Sequence, residues 1–267
     1  MPARLPHAFH HATPHGQSSA QCAALPTGAG IVSPRSRNRP PRELPRTRKF
    51  TVVAQDPSIR RKGRILTTEI EVPAEALEAG PWGHRVQVVD YDASTATLYK
   101  PQDKAAFKPV QLRYKDPFAK PSDRTILTNP HFHALNAYAI VMRTLARFEY
   151  ALGRRVHWGF KAHHLKIAPH AFADPNAFYA EDHEVLVFGY FPGSDGQMVH
   201  SCLSHDIIAH ETTHALLDGL RERFSDPSSP DQAGFHEGFA DVVALLSVFS
   251  LREIVAKLID MRVTTDG

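Results

Sequence analysis

The hydrophobic pattern changes period several times along the chain. Residues 1–50 show no apolar periodicity. They are rich in Pro, Ser, His and Arg, and Pro40-Pro41 with the Arg–Pro alternation opposes helix and sheet alike. This predicts a disordered basic leader, a targeting segment or a start upstream of the folded part. Residues 51–127 read as β-rich. Residues 65–72 alternate and are β-branched, 85–89 repeat the pattern, and 95–99 follow the turn Asp92-Ala93-Ser94. They are expected to be strands of a small antiparallel sheet. At Asn129-Pro130 the period becomes helical, with Pro at the first position. Leu135, Tyr138, Ala139, Met142, Leu145, Ala146, Phe148 and Leu152 follow at helical spacing until Gly153 stops the run. Residues 156–167 alternate again and predict a strand, as does the apolar run 184–189 before Pro192-Gly193. One helix is predicted from Ser204 through Leu217. A second starts on a capping signal, Ser229 with Pro230 next and Gln232 three after the cap. A third covers 251–258. The fold class is α+β, a mixed or antiparallel sheet with helices, and no internal repeat is visible.

At 267 residues, with 42% hydrophobic and 22% charged residues, the chain has room for one large domain or two small ones. No apolar run reaches the roughly 18 residues of a membrane helix. The N-terminus lacks the apolar stretch of a secretory signal, which favours the cytoplasm over export. Two cysteines, Cys22 and Cys202, cannot make a disulfide framework, and free thiols are expected. The net charge of +3 hides an asymmetry: residues 1–64 hold 12 Lys and Arg against Glu43 and Asp56, a balance of +10, which leaves −7 for the rest. Such an arm can bind nucleic acid, but a solvated tail explains it as well and is preferred. His7, His10, His11 and His15 would hold a metal only weakly from a flexible tail.

The chemistry concentrates in His210-Glu211-Thr212-Thr213-His214. An H-E-x-x-H motif inside a helix projects both imidazoles from one face, where they can share a zinc ion. Glu211, one step round, is placed to accept a proton from a water on that ion. The bland alternative is two histidines on an ordinary helix. A catalytic zinc also needs a third protein ligand and an open position. Glu237 comes 23 residues after His214, in the helix opened by Ser229. Asp241 follows on the same face and can hold the second ring nitrogen of a zinc-bound histidine. Gly238 and Ala240 are small enough to let this helix approach the first. A carboxylate buried among Phe235, Phe239, Val242 and Val243 would be expensive unless it met a cation.

His210–His214 followed by Glu237-Gly238-Phe239-Ala240-Asp241 resembles the thermolysin-like metallopeptidases, zincins whose third ligand is a glutamate. Asn176-Ala177-Phe178-Tyr179 and the run 185–189 resemble that family's Asn-Ala-Phe turn and active-site edge strand. The resemblance covers roughly residues 128–250. It implies a zincin-like catalytic region over 128–267, Zn2+ as cofactor, and a peptide or protein as partner. It also implies Asn176 and Ala177 as substrate contacts, and a substrate held as an extra strand along 184–189. There are departures. His236 stands where the family usually has Asn, and no Tyr lies between His214 and Glu237. The helical lobe that supplies an oxyanion-stabilising Arg and His has no counterpart before Gly267, and no inhibitory propeptide is recognisable. Two functions are therefore expected to compete: zinc-dependent endopeptidase, or a zinc-holding fold that is catalytically impaired and acts as a binding or scaffold module. Neither a membrane nor a nucleic acid is an expected partner. The residues leave specificity, oligomeric state and compartment open.

Overall fold

The computed structural model describes residues 43–221 and 228–263; at 257, 258 and 260–263 only the backbone is described. The expected leader lies outside the described residues as far as 42. Its last part was placed wrongly, because Thr47–Phe50 belong to the first strand. Arg48, counted above with the basic arm, is 2% exposed. Its guanidinium lies 4.5 Å from the Phe50 ring centroid and 4.8 Å from that of Tyr114, which makes it part of the core.

In chain order the strands of the first half are β1 (Thr47–Val53), β2 (Arg60–Arg61), β3 (Arg64–Ile65), β4 (Thr67–Pro73), β5 (Val86–Val88), β6 (Tyr91–Asp92) and β7 (Thr97–Leu98). Helices α1 (Asp123–Thr128) and α2 (Pro130–Leu152) follow. Then come β8 (Leu165–Phe172), β9 (Ala177–Ala180), β10 (Val185–Pro192) and β11 (Met198–His200). The chain continues with α3 (His205–Leu220), α4 (Pro230–Phe249) and α5 (Arg252–Val263). The class is α+β.

Alternation explains β4, whose Thr68, Ile70 and Val72 are buried while Glu69 and Glu71 face out; it pairs antiparallel with β1. The expected single antiparallel sheet is otherwise corrected. β5 leaves β4 and joins the larger sheet, parallel to β8. That sheet runs β11-β10-β8-β5, with β9 also on β10. β8 and β10 are parallel, and β9 and β11 pair antiparallel to β10. The strand expected at 156–167 is shifted: 156–164 is irregular and β8 starts at Leu165. The alternation there came from loop anchors. Val156 and Trp158 are buried, and the Trp158 indole donates to the Arg85 carbonyl at 3.1 Å.

α2 is the central helix. Asn129 caps it by accepting from the His131 amide at 2.9 Å, and Gly153 ends it in the left-handed region at φ 65°. It packs on β1, β4, β8 and α3, so both halves of the chain share one core. His205, at the start of α3, joins that core to α4 and is fully buried. Its Nδ1 donates to the Val53 carbonyl at 3.3 Å, and its Nε2 accepts from the Ser247 hydroxyl at 3.0 Å.

Burial pushes His205 down from 6.5 to about 4. A histidine depressed in the fold is protonated first in the unfolded chain, so its contribution is full above pH 6.5 and is lost as pH falls towards 4. The loss should reach about 3 kcal/mol, about 2 of it by pH 5. Urea unfolding at pH 7 and pH 5 should show a smaller acid loss for His205→Gln than for the native chain. Equal losses would remove His205 from the account.

Candidate metal and catalytic site

α3 carries both imidazoles. Asp206 lies in its first turn, where it meets the positive end of the helix dipole. Thr212 and Thr213 bond back to the Ile208 and Ala209 carbonyls at 2.6 and 2.7 Å, which lets their hydroxyls be buried. α4 starts where Ser229 accepts from the Gln232 amide at 3.2 Å. The Gln232 arm of the capping box reaches Ser228 rather than Ser229. Ala240, Ala244 and Ser247 are the buried face of α4. Gly238 has open space beside it and makes no close approach, whereas Ala240, expected with it, is buried.

The structure brings the predicted ligands together. His210 Nε2 and His214 Nε2 are 2.9 Å apart, and Glu237 Oε2 lies 3.2 Å from the first and 3.6 Å from the second. Asp241 Oδ1 sits 2.9 Å from His210 Nδ1. A carboxylate only accepts, so each ring nitrogen of His210 has an acceptor beside it; with Nδ1 donating over the shorter contact to Asp241, Nε2 would turn its lone pair inward. His236 Nδ1 lies 2.6 Å from His214 Nδ1, with the rings stacked 6° from parallel. If His214 Nε2 is to present a lone pair, its Nδ1 must donate to His236, which does for His214 what Asp241 does for His210. The possible metal-holding groups here are His210, Glu211 and His214, and His214, His236 and Glu237, which overlap at His214; the three atoms above also converge on one point.

One premise is corrected. Glu237 and Asp241 are not buried; their side chains are 66% and 74% exposed. Phe235, Val242, Leu245, Leu246 and Phe249 on the same helix are more than half exposed. Apolar neighbours in sequence did not mean an apolar environment.

Glu211 is the buried acid, at 8% exposure. Burial pushes its carboxyl up from 4.5 to about 8; the Tyr179 amide, donating to Oε2 at 3.1 Å, opposes this, and the Glu237 charge adds to it. Burial likewise lowers His214 to about 4, which favours the neutral ligand form.

The strand expected to present an edge is corrected as well. β10 is paired on both sides, to β8 and to β9 with β11. The strand beside α3 is β9, tied to it twice: by the Tyr179 amide to Glu211, and by the Tyr179 hydroxyl donating to Asp218 at 3.0 Å. Asn176 and Ala177 lead into β9. Asn176 Oδ1 accepts the Ala177 amide at 2.9 Å, and its carbonyl accepts the Gly189 amide at 2.8 Å. A Cβ on Gly189 would lie 2.1 Å from the Asp174 carbonyl oxygen, so only glycine lets this turn rest on β10. Asn176, Ala177, His210, Glu211 and Asp241 line one open cleft of about 960 Å³.

Sequence reasoning missed three contributors. Tyr179 acts through its amide and Asp218 through Tyr179, and neither leaves a signal of type or spacing. His236 was seen only as a departure from a family pattern. The chain matches no protein-family model, and no curated protein matches its sequence.

Proposed function

We propose that the protein is a zincin-like, zinc-dependent endopeptidase whose ligands are His210, His214 and Glu237. The convergence of the two Nε2 atoms and the Glu237 carboxylate, next to the buried Glu211, carries this reading. Zinc, when bound, supplies Lewis acidity to the scissile carbonyl and to the attacking water. Glu211 takes the proton from that water and passes it to the leaving amine. The Tyr179 amide holds the carboxyl in place. Asp241 and His236 fix the ring orientations of the two histidines. An extended substrate would lie along β9 with Asn176 and Ala177 at its end, where it has to compete with Glu211 and Asn176 Oδ1 for the Tyr179 and Ala177 amides.

Casein digestion by the purified chain should stop with a chelator and return with zinc. Undiminished cleavage in the chelator sinks the metal mechanism. One observation favours the second reading, a zinc-holding fold that binds without cleaving. Among the described residues lining the cleft there is no Arg or Tyr, and no His besides His210, to stabilise an oxyanion. Oxyanion donors are worth about 10²–10³ in rate. A zinc-loaded chain that retains peptide yet releases no product would establish that reading.

A further inference from the structure

A second set of metal-ligating side chains lies away from the cleft, where α2, β8 and the turn before α3 meet. His133 is 1% exposed, His170 3% and Cys202 0%. Their ligand atoms all lie within 4.8 Å of one another.

The hydrogen bonds around these rings fix which nitrogens carry hydrogens. His170 Nδ1 is 2.7 Å from Asp90 Oδ2, and the other oxygen of Asp90 accepts the His170 backbone amide at 3.0 Å. His133 Nε2 is 2.7 Å from the Ile126 carbonyl. A carboxylate and a carbonyl only accept, so His170 Nδ1 and His133 Nε2 are the donors. The nitrogens left over, His133 Nδ1 and His170 Nε2, face each other at 2.7 Å. In neutral rings both are lone pairs, and two lone pairs at that distance repel. Something positive belongs between them, either a proton or a metal ion.

Three further observations favour the metal. Each histidine already has the outer partner that ligating histidines use, a carboxylate for one and a backbone carbonyl for the other. Cys202 adds a sulfur, and imidazole with thiolate is a donor set that selects zinc. A Cys202 thiolate and the Asp90 carboxylate together balance a dication, as a buried charge requires. His200 packs against both rings, with centroids 4.7 Å from His133 and 5.1 Å from His170, and its Nδ1 is buried without a hydrogen-bond partner.

We propose that His133, His170 and Cys202 form a second, buried zinc site, with His200 packed against its rings. Zinc at about 2.0–2.3 Å from each donor needs nitrogens roughly 3.3 Å apart, so the two imidazoles open slightly to admit it.

Cobalt(II) gives a direct test on the full chain. The cleft residues include no cysteine, so a thiolate-to-cobalt charge-transfer band in the near ultraviolet reports this site alone. We expect the band in the native chain, its loss in Cys202→Ser, and its survival in Cys22→Ser and in His210→Ala/His214→Ala. Metal analysis should give two zinc ions per native chain and one in the His210→Ala/His214→Ala variant. No thiolate band in the cobalt-loaded native chain overturns the proposal, as does a band that survives Cys202→Ser. The native-chain measurement stands even if a variant fails to fold. A proton shared by the two histidines predicts one zinc, no band, and no response to Cys202→Ser.

Discussion

Exchange of Glu211 for glutamine is expected to lower peptide cleavage by about 10²–10⁴-fold while leaving the zinc content unchanged. The exchange keeps the length of the side chain and an oxygen that can still accept the Tyr179 amide, so β9 should hold its place beside α3. What disappears is a group that can take and return a proton. In the proposed site the three ligand atoms come from His210, His214 and Glu237, so the exchange is expected to spare the metal. The variant should not be fragile. With the carboxyl raised from 4.5 to about 8 in the fold, the unfolded chain releases its proton first, so stability is lost as pH rises from 4.5 towards 8. Glutamine carries no such penalty, so the metal-free variant should equal or exceed the metal-free native chain in stability at pH 8. The measurements are kcat/KM on a fluorogenic peptide and zinc by elemental analysis. Wild-type cleavage by the variant would remove Glu211 from the chemistry. Loss of zinc together with activity would make it a ligand instead.

The local rules were legible in the sequence wherever chemistry and period coincided. Asn129, Pro130 and Gly153 bound α2 because cap, first position and left-handed stop are each satisfied by a single residue type. The i, i+4 spacing of His210 and His214 needed only helical geometry to put both rings on one face. Partnership across the chain was not legible. The run 184–189 is apolar whether it sits at an edge or in the middle of a sheet, and what decides is that β8, β9 and β11 all pair with it. The exposure of Glu237 depends on what covers the outer face of α4, which the intervals between its own apolar residues do not encode. The expected strand at 156–167 failed because alternation also arises in a loop pinned by single buried side chains, here Val156 and Trp158. The cluster around His133 draws on positions 90, 126, 133, 170, 200 and 202, from separate elements with no motif spacing. Only the fold reveals that two imidazoles confront each other with nothing else to bind.

Asn136→Leu is expected to cost about 2–6 kcal/mol, a large share of the roughly 5–15 kcal/mol that keeps a domain folded. Asn136 is fully buried in the middle of α2. Its Oδ1 accepts the Val53 amide at 2.9 Å, at the end of β1, and its Nδ2 donates to the Cys202 carbonyl at 2.9 Å, just before α3. One side chain thus satisfies two backbone groups that come from elements about 150 residues apart and that neither sheet nor helix supplies. Leucine nearly conserves the volume, so the cost is not that of a cavity. It is the desolvation of an amide and a carbonyl left without partners, about 1–3 kcal/mol each. Urea unfolding followed by circular dichroism should show a lower midpoint with an unchanged slope, since the area exposed on unfolding is the same. The proposed zinc ligands on α3 and α4 form no hydrogen bond with Asn136, so any metal held at His210, His214 and Glu237 should persist below the transition. A midpoint within experimental error of the native chain would mean that water or a shifted backbone takes over both bonds, and that β1 and α3 are held by apolar packing and the His205 hydrogen bonds instead.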